Sequence, residues 1–517
     1  MHTQAGQGIP VPVTITNSTN FDPQKTRTPQ RMKKVCCIGA GYVGGPTSAV
    51  MATKNPDVSV TVVDYNKDRI EAWKTNELPI YEPDLLDVVQ HARDPVAKRI
   101  PNLFFSTDVE GAIAEADIIL LSVNTPTKSM GHGAGQASEL CHLESAVRRI
   151  GEVATSDKII VEKSTVPCKA AETVRDILNA TAKPGLNFEI LSNPEFLAEG
   201  TAVRNLLHPD RILIGSLNTP RGLAAARSLA DLYASWVDRS RIITINLYSS
   251  ELAKLAANAL LAQRISSVNA LSAMCESLGA DIDEVSHCVG LDQRIGPKML
   301  KASVGFGGSC FRKDILSLAY IAESLHLPQV ADYWRSIVGI NEYQKERFTR
   351  RIVKCLYSSL SSKRLAVLGF AYKKDTGDTR ETSAITVVNN LINEGANVRV
   401  YDPLVEEDRV WEEVLASSDR RETVKQRLSV WPSAYEACAD ADAVIILTEW
   451  DEFSNKISGP GDARGRGGDR TKRVLDWSRV AGLMQKPMYV FDGRNVLDAA
   501  PLEKMGFRVE SIGKGVV

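Results

Sequence analysis

The sequence predicts an α/β protein in which two doubly wound parallel sheets are joined by a long central helix. Three features favour this fold: short apolar strands alternate with helical segments up to about residue 246, a stretch of 30 residues without Gly or Pro follows from Ser249, and the alternation resumes at Arg364. Strand–helix alternation is typical of parallel sheets. A chain of 517 residues is too long for one hydrophobic core, so we expect more than one domain.

The first sheet begins with a glycine-rich turn. The strand predicted at 33–39 runs into Gly39-Ala-Gly41-Tyr-Val-Gly44, a helical pattern follows, and the next strand, 59–64, ends at Asp64. This context predicts a dinucleotide-binding, Rossmann-like domain, because the glycines let a pyrophosphate rest on the helix N-terminus. Asp64 is expected to bind the adenosine ribose and to repel a 2′-phosphate, which favours NAD over NADP. Further strands are predicted at 117–123, 158–162, 187–191 and 211–215.

The second half of the chain reads as a repeat of the first. Residues 249–278 predict one joining helix of about 45 Å, with Ser249 or Ser250 and Glu251 as its start signal. Strands follow at 364–369 and 398–402, and the second of these again ends in an acid. Because Ala116-Asp-Ile-Ile-Leu-Leu-Ser resembles Ala441-Asp-Ala-Val-Ile-Ile-Leu-Thr, we interpret the two halves as an internal repeat of the Rossmann topology.

The second copy lacks the glycine fingerprint. Gly369-Phe-Ala-Tyr-Lys-Lys stands in its place. The aromatic and lysine side chains are predicted to block a pyrophosphate there, and to stack on and pair with a different nucleotide. Two such folds, one with the fingerprint, therefore indicate NAD in the first and a nucleotide-bearing substrate in the second.

The pattern divides the chain into four parts. Residues 31–246 are predicted as the NAD-binding domain, 247–357 as a central helical domain, and 358–517 as the Rossmann-like domain for the substrate nucleotide. Residues 1–30 are rich in Thr, Gln, Pro and Asn without an apolar segment, so we expect a disordered tail, with mitochondrial targeting as the alternative. A flexible surface insertion is expected at 458–470, with RNA binding as the alternative.

The composition argues against several functions. Lys and Arg number 62 against 63 Asp and Glu, and this balance disfavours a nucleic-acid partner or a membrane-surface role. No apolar run reaches the length of a membrane span. The nine cysteines form no CxxC pair, which fits a reducing, cytoplasmic location. The seven histidines form no ligand cluster with cysteines, so no metal is expected.

A glycine-rich run around a single cysteine indicates a catalytic site. The run is Lys301-Ala-Ser-Val-Gly-Phe-Gly-Gly-Ser-Cys310-Phe-Arg-Lys-Asp314. Its three glycines are predicted to expose the Cys310 sulfur and to let a bulky ligand approach the main chain. Lys301, Arg312 and Lys313 add positive charge that favours a thiolate. Together with the dinucleotide fingerprint, this predicts oxidation through a covalent thiol adduct. The alternative is a flexible loop with a passive cysteine.

From residue 33 to about 513 the chain resembles the UDP-glucose/GDP-mannose dehydrogenase family. The matching blocks include Ile38-Gly-Ala-Gly-Tyr-Val-Gly-Gly45, Val123-Asn-Thr-Pro-Thr127, Val161-Glu-Lys-Ser-Thr-Val-Pro167, Leu191-Ser-Asn-Pro-Glu-Phe-Leu-Ala-Glu-Gly200, Ala253-Lys-Leu-Ala-Ala-Asn258, the Cys310 loop, Phe370-Ala-Tyr-Lys-Lys-Asp-Thr-Gly-Asp-Thr-Arg380 and Asp492-Gly-Arg494. The resemblance implies oxidation of UDP-glucose to UDP-glucuronate with two NAD and one water. Sister substrates (UDP-N-acetylmannosamine or GDP-mannose) and a non-catalytic NAD-binding role remain as alternatives.

An alcohol oxidised to an acid passes through an aldehyde. Cys310 is expected to trap that aldehyde as a thiohemiacetal, which a second hydride transfer converts into a thioester that water cleaves. Lys254 and Asn258 lie four residues apart, so they share a helix face and can reach one oxyanion, unless that face is merely solvated. Asp314 is expected to hold a water that takes the alcohol proton, or else to be a helix N-terminal acid.

The resemblance assigns the remaining site residues. It implies that Glu195 is the base for thioester hydrolysis and that Thr165 positions the water, although Glu195 could be a plain loop acid. Arg294 resembles an arginine donated by a neighbouring subunit, which implies a dimer as the minimum unit or a hexamer built as a trimer of dimers. The implied NAD contacts are Gly39, Gly41, Gly44, Asp64, Arg69, Ser122, Thr125, Ser164, Glu199 and Arg380. The implied substrate contacts are Glu195, Phe196, Leu197, Lys254, Asn258, Arg294, Lys301, Phe306, Gly307, Tyr372, Lys373 and Arg494.

Overall fold

The computed structural model describes residues 34–95, 99–456 and 474–515. The tail predicted at 1–30 and the insertion predicted at 458–470 lie outside the described residues. Within the described ranges the chain forms two sheets covered by helices on both faces, with a long helix between them. The predicted α/β fold with a central helix is confirmed. No helix in the described part of the chain is both long enough and apolar enough to cross a membrane.

The N-terminal sheet has eight strands in the order β3-β2-β1-β4-β5-β6-β7-β8. The strands are β1 (Lys34–Ile38), β2 (Ser59–Val63), β3 (Leu103–Ser106), β4 (Ile118–Leu121), β5 (Lys158–Glu162), β6 (Phe188–Ser192), β7 (Ile212–Ser216) and β8 (Ile242–Asn246). The helices are α1 (Gly44–Lys54), α2 (Lys67–Trp73), α3 (Leu85–Arg93), α4 (Val109–Glu115), α5 (Cys141–Val153), α6 (Ala170–Thr181), α7 (Ala202–Leu207) and α8 (Pro220–Tyr233). The six predicted strands are confirmed to within two residues at each end.

Both faces of this sheet are buried. Alternate residues of β1 enter two separate cores, Cys37 on one face and Cys36 on the other, as expected for a pleated strand between two helical layers. This burial explains why the strands read as continuous apolar runs rather than as an alternating pattern.

One strand pair of the first sheet departs from the predicted parallel arrangement. Strand β7 runs antiparallel to β6 through the pair Ser192 and Gly215, and β8 is again parallel to β7. The connection between the two strands, residues 193–211, contains only the six-residue helix α7, in place of the longer helix that usually links parallel strands in a βαβ unit.

The central part is helical. It consists of α9 (Leu247–Leu278), α10 (Ile282–Gly290), α11 (Phe311–Ser324) and α12 (Pro328–Cys355). The predicted start of α9 is wrong, because the capping side chain is Asn246, which accepts hydrogen bonds from the amides of Tyr248 (3.0 Å) and Ser249 (3.3 Å). Ser250 is instead buried against β6, where its hydroxyl donates to the Ser192 carbonyl at 3.2 Å. The helix ends at Gly279, whose φ of +72° favours glycine.

The C-terminal sheet has six parallel strands in the order β11-β10-β9-β12-β13-β14. The strands are β9 (Arg364–Leu368), β10 (Asn397–Tyr401), β11 (Leu428–Val430), β12 (Ala443–Ile446), β13 (Met488–Asp492) and β14 (Phe507–Ser511). The helices are α13 (Ser383–Asn393), α14 (Glu407–Ala416), α15 (Arg421–Arg427), α16 (Ala434–Cys438), α17 (Trp477–Leu483) and α18 (Ala499–Lys504).

The predicted internal repeat is confirmed by strand order and by individual hydrogen bonds. The first six strands of the N-terminal sheet have the same order as the whole C-terminal sheet. Asp117 accepts from the Lys34 amide at 3.1 Å, and Asp442 accepts from the Arg364 amide at 2.8 Å. Each bond ties the start of the first strand of its sheet to the residue before the fourth, so the two halves share one local design.

The acid at the end of the second strand is used differently in the two halves. In the C-terminal domain Asp402 is buried and accepts hydrogen bonds from the amides of Phe370 (2.7 Å), Ala371 (3.0 Å) and Leu404 (2.9 Å) and from the Trp450 indole (3.1 Å). The Phe370 side chain lies in the core rather than over the turn. The amides of the turn after β9 are therefore paired with the chain's own carboxylate.

Replacing Asp402 with Ala is expected to lower the melting temperature of the C-terminal domain by about 5 °C or more, because several buried N–H groups lose their acceptor at a cost of about 3 kcal/mol. Thermal unfolding followed by circular dichroism measures this effect. Asp408→Ala, at an exposed position in the first turn of α14, is the matched control and should change little. Equal melting temperatures for the two variants would contradict this role of Asp402.

Candidate active site

The glycine turn after β1 forms one wall of a cleft of about 960 Å³. Gly39 has a φ of +109°, and a Cβ there would lie 2.4 Å from the Ser122 carbonyl oxygen; a Cβ on Gly44 would lie 1.9 Å from the Gly39 oxygen. A Cβ on Gly41, by contrast, would meet nothing within 4 Å, because this residue faces the open cleft. The first and last glycines thus shape the turn, and the middle one leaves bare backbone beside the N-terminus of α1, which fits a pyrophosphate.

Asp64 lines the same cleft at the end of β2. Its carboxylate accepts hydrogen bonds from the amides of Ala40 (3.0 Å) and Asn66 (2.9 Å), and Arg69 lies 3.3 Å away. Arg69 and Ser122 also line the cleft. The residues expected to bind NAD on this side are therefore brought together, and the cleft fits a dinucleotide.

Two predicted NAD contacts brace the neighbouring turns instead of lining this cleft. The Thr125 hydroxyl donates to the Thr165 carbonyl at 2.8 Å, and the Ser164 hydroxyl donates to the Val123 carbonyl at 2.6 Å. These bonds hold the segments after β4 and β5 together at the carboxyl edge of the sheet.

The opposite wall of the cleft comes from the C-terminal domain. Arg380 lines the cleft and donates to Asp378 at 2.6 Å and to Glu199 at 2.9 Å. Burial and the neighbouring Asp378 raise the pKa of Glu199 to about 8, although Arg380 acts in the opposite direction. Glu199 and Arg380 thus form a contact between the two domains, beside the cleft that both domains enclose.

Cys310 is exposed, as predicted, and lies at the N-cap position of α11. The ligand access expected from the glycines is not seen, because the protein itself fills the space beside them. A Cβ would lie 2.8 Å from the Asn341 side chain at Gly305, 2.6 Å from a carbonyl oxygen at Gly307 and 3.0 Å from the Tyr372 ring at Gly308. The glycines let the loop pack tightly between the central helices and the C-terminal domain.

The expected basic residues around Cys310 are mostly neutralised. Arg312 pairs with Glu342 at 3.0 Å, and Lys313 pairs with Asp314 at 3.0 Å. The lysine that acts electrostatically on the Cys310 site is the buried Lys254. Burial lowers the pKa of Lys254 below its usual value, whereas Cys310 and Asp314 act in the opposite direction. A lysine with a lowered pKa exchanges protons more readily near neutral pH.

Lys254 and Asn258 share the buried face of α9, so the alternative of a solvated face is wrong for this pair. The Asn258 amide donates to the Asp314 carboxylate at 2.6 Å. Asp314 is fully buried in the first turn of α11, four residues after Cys310. One amide proton of Asn258 thus fixes Asp314, and the other remains for a further acceptor.

Glu195 follows β6 and pairs with Lys163, whose ammonium lies 2.9 Å from one carboxylate oxygen. The other oxygen accepts from the Phe196 amide at 2.9 Å. Burial alone would raise the pKa of Glu195, but Lys163 and the Phe196 amide together hold it below its usual value. Sequence reasoning missed Lys163. Its signal was the charged Glu162-Lys163 pair directly after three buried apolar residues of β5.

A second missed feature holds the segment that carries Thr165. Glu251, on the buried face of α9, accepts from the amides of Lys169 (2.6 Å) and Ala171 (3.0 Å) at the start of α6. Burial and the neighbouring Glu251 raise the pKa of Glu162. Glu251 was interpreted as a helix start signal, whereas it joins α9 to the segment that follows β5.

The predicted substrate contacts have different surroundings. The Phe306 side chain packs in a core between α9, α11 and α12, and Lys301 is exposed. Arg494 donates to the carbonyls of Leu447 (2.6 Å) and Tyr372 (2.8 Å), and so joins the segments that follow β12 and β9. Arg294 is exposed and pairs with Asp292.

A dinucleotide cleft enclosed by two Rossmann-like domains, with an exposed thiol at a helix N-terminus beside buried lysine, amide and carboxylate groups, defines an NAD-dependent oxidoreductase. Models of the UDP-glucose/GDP-mannose dehydrogenase family match the chain over the NAD binding domain (residues 33–237), the central domain (248–343) and the UDP binding domain (366–499). The chain belongs to this family, and its cofactor is NAD.

Close relatives cover nearly the whole chain. UDP-glucose 6-dehydrogenase 1 of Oryza sativa subsp. japonica is 55% identical over 493 residues, which are 93% of this chain and 97% of that protein. UDP-glucose 6-dehydrogenase of Drosophila melanogaster is 53% identical over 483 residues, with 93% and 96% covered. The solved UDP-glucose dehydrogenase of the hyperthermophilic archaeon Pyrobaculum islandicum has a TM-score of 0.75 at 27% identity, covering 96% of this chain and 100% of that one.

The position of Asp64 in the cleft predicts a preference for NAD over NADP of at least about a hundredfold in kcat/KM, because a 2′-phosphate would face a carboxylate. Asp64→Ala should reduce this ratio at least about tenfold, mainly through weaker use of NAD, and Arg69 would then be free to meet a phosphate. Steady-state rates with both cofactors measure the ratio, and Asp68→Ala, in the first turn of α2, is the control. Comparable wild-type rates with the two cofactors would show that Asp64 does not contact the ribose.

Proposed function

We propose that this protein oxidises UDP-glucose to UDP-glucuronate, using two NAD and one water. The observation that carries the proposal is the exposed Cys310 at the start of α11, next to buried Lys254, Asn258 and Asp314. A protein that only binds NAD needs none of these groups. Relatives at 53–55% identity that are named UDP-glucose 6-dehydrogenase favour UDP-glucose over GDP-mannose and UDP-N-acetylmannosamine.

The first half of the proposed reaction turns the alcohol into an aldehyde held on Cys310. NAD, when bound in the cleft, accepts a hydride in each of the two oxidations. Asp314, through a water, takes the proton of the alcohol, and the lowered pKa of Lys254 lets its neutral amine accept that proton in turn. The Cys310 sulfur adds to the aldehyde carbon, and Lys254 and Asn258 donate hydrogen bonds to the oxygen of the resulting thiohemiacetal.

The second half releases the acid. Loss of a second hydride gives a thioester, and water adds to its carbonyl carbon while Glu195 accepts a proton. Thr165, on the segment between β5 and α6, positions that water. The carbon–sulfur bond then breaks and the sulfur leaves on Cys310. One alcohol, two NAD and one water thus yield one carboxylate, two NADH and three protons.

The proposed domains follow the three family matches: residues 31–246 bind NAD, 247–357 mediate dimerisation and 358–517 bind the UDP part, where Tyr372, Lys373 and Arg494 contact it. We propose a homodimer as the minimum active unit, with a hexamer as a trimer of dimers. Exposed apolar residues on α9 and the exposed Arg294 support an interface between subunits. All nine cysteines carry free thiols, which supports a cytoplasmic location.

The proposed reaction predicts two NADH for each UDP-glucose consumed and no free aldehyde. NADH absorbance and chromatography of the nucleotide sugars measure both quantities in one experiment, with GDP-mannose and UDP-N-acetylmannosamine run as comparison substrates. One NADH per substrate together with an aldehyde product would contradict the thioester route. Faster turnover of a comparison substrate would instead reassign the sugar.

Replacing Cys310 with Ala should reduce overall turnover at least about a thousandfold and leave binding of UDP-glucose and NAD largely intact, because the thiol is needed only for the covalent step. Isothermal titration and steady-state rates separate the two effects. Cys288→Ala, at an exposed thiol on α10, is the matched control and should keep wild-type turnover. Cys310→Ala with more than a few per cent of wild-type turnover would make the loop a structural turn.

A further inference from the structure

Lys163 is a buried lysine directly after β5, with a side chain only 1% exposed. Its ammonium contacts three oxygens: a Glu195 carboxylate oxygen at 2.9 Å, the Asn193 side-chain carbonyl at 3.1 Å and the Tyr233 hydroxyl at 3.2 Å. An ammonium has three hydrogen-bond donors, so all of them are used. This arrangement fixes both the position of the ammonium group and the directions of its N–H bonds.

The partners of Lys163 are themselves fixed. The Tyr233 hydroxyl donates to the Asn193 carbonyl oxygen at 2.8 Å, and the Asn193 amide donates to the Leu213 carbonyl of β7 at 2.6 Å. The segment after β6 and helix α8 therefore hold the ammonium directly, and β7 fixes Asn193 from behind. A buried charge is costly unless it is fully paired, so the ammonium needs the Glu195 carboxylate as its counter-charge.

Glu195 faces few charged or titratable groups. They are Lys163 after β5, Tyr233 on α8 and Lys254 on α9. Of the two lysines, Lys163 makes the direct contact, whereas Lys254 acts from a greater distance over the Phe196 ring. Among the charged groups, Lys163 therefore has the largest influence on the orientation of the carboxylate and on its ionisation.

We propose that Lys163 is a positioning residue that holds the Glu195 carboxylate in place for the attack of water on the Cys310 thioester. The inference rests on the proposed function. In this step the water oxygen bonds to the thioester carbon, a water proton passes to Glu195, the carbon–sulfur bond breaks and the sulfur leaves as the Cys310 thiolate. No electrons are exchanged with a cofactor, so Lys163 acts on hydrolysis and not on either oxidation.

The sign of the pH effect follows from the two opposing influences on Glu195. With Lys163 present, the pKa of Glu195 lies below its usual value and the carboxylate is ionised at neutral pH. Without Lys163, burial dominates and raises that pKa, so the carboxyl group becomes protonated and cannot accept a proton from water. Hydrolysis should then fail at acidic and neutral pH and recover as the pH rises.

The test measures hydrolysis in Lys163→Met by single-turnover quench and intact-protein mass spectrometry between pH 5.5 and 9. We expect a UDP-glucuronyl adduct on Cys310 and hydrolysis slowed at least about tenfold near pH 6. The acid limb, which is the fall of the hydrolysis rate toward low pH, should shift to higher pH by about one unit or more. The NADH burst from the two oxidations should stay within about threefold. Lys163→Arg, which keeps the charge, should restore part of the acid limb.

Lys158→Met is the matched control, because Lys158 is a buried lysine at the other end of β5 that donates to the carbonyls of Ala114 and Ala116. It should lower stability without moving the acid limb. If the Met variant does not fold, Lys163→Gln replaces it in the test, because a neutral Gln side chain can pair with a protonated Glu195. In the double variant of Lys163→Met with Glu195→Gln, the rate should equal that of Glu195→Gln alone.

The outcomes separate the two proposals. An adduct in Glu195→Gln supports the thioester route, and its absence despite slow turnover would overturn the proposed function. If Glu195→Gln gives the adduct but the Lys163 variants hydrolyse with an unchanged acid limb, the inference about Lys163 is wrong. An equal shift in Lys158→Met would also overturn it, since the effect would then come from loss of stability.

Discussion

One face of the long helix α9 aligns the groups on which the site depends. Glu251, Lys254 and Asn258 follow each other at intervals of three and four residues, so they form one row of buried polar side chains in the first half of the helix. Glu251 holds the amides at the start of α6, Lys254 faces Cys310, and Asn258 holds Asp314 on α11. Helical periodicity alone thus connects the Thr165 segment of the first domain to the Cys310 loop.

Several buried charges around this row have an opposite charge or an amide beside them, whereas Glu162 lies next to Glu251 and its pKa is raised. Lys163 faces Glu195, and Asp314 faces Lys313 on one side and the Asn258 amide on the other. Removing one partner from such a set leaves another charge unpaired at a cost of several kcal/mol. The same pairing sets the chemistry, because it keeps Glu195 ionised while burial lowers the pKa of Lys254.

The sequence predicted what local patterns encode, and little of what depends on distant partners. Strand positions, the glycine turn and the joining helix follow from hydrophobic periodicity and from the positions of Gly and Pro, and the structure confirms them. The antiparallel direction of β7 is not encoded in its own apolar run, and the glycines before Cys310 depend on Asn341 and Tyr372, which are remote in sequence. Lys163 was hidden for the same reason, since a lysine at a strand end looks exposed until its three acceptors, from elsewhere in the chain, are in place.

The internal repeat shows how one design gives two kinds of site. In both halves an acid ends the second strand and accepts from the turn after the first strand. Asp64 takes one amide of a turn whose Gly41 leaves open space, so a dinucleotide can reach the remaining backbone. Asp402 takes two amides of its turn and an indole N–H, so that turn is closed to a pyrophosphate. If the second half binds the UDP part, as proposed, it does so through side chains rather than bare backbone, and the proposed contacts Tyr372 and Lys373 lie in the same turn.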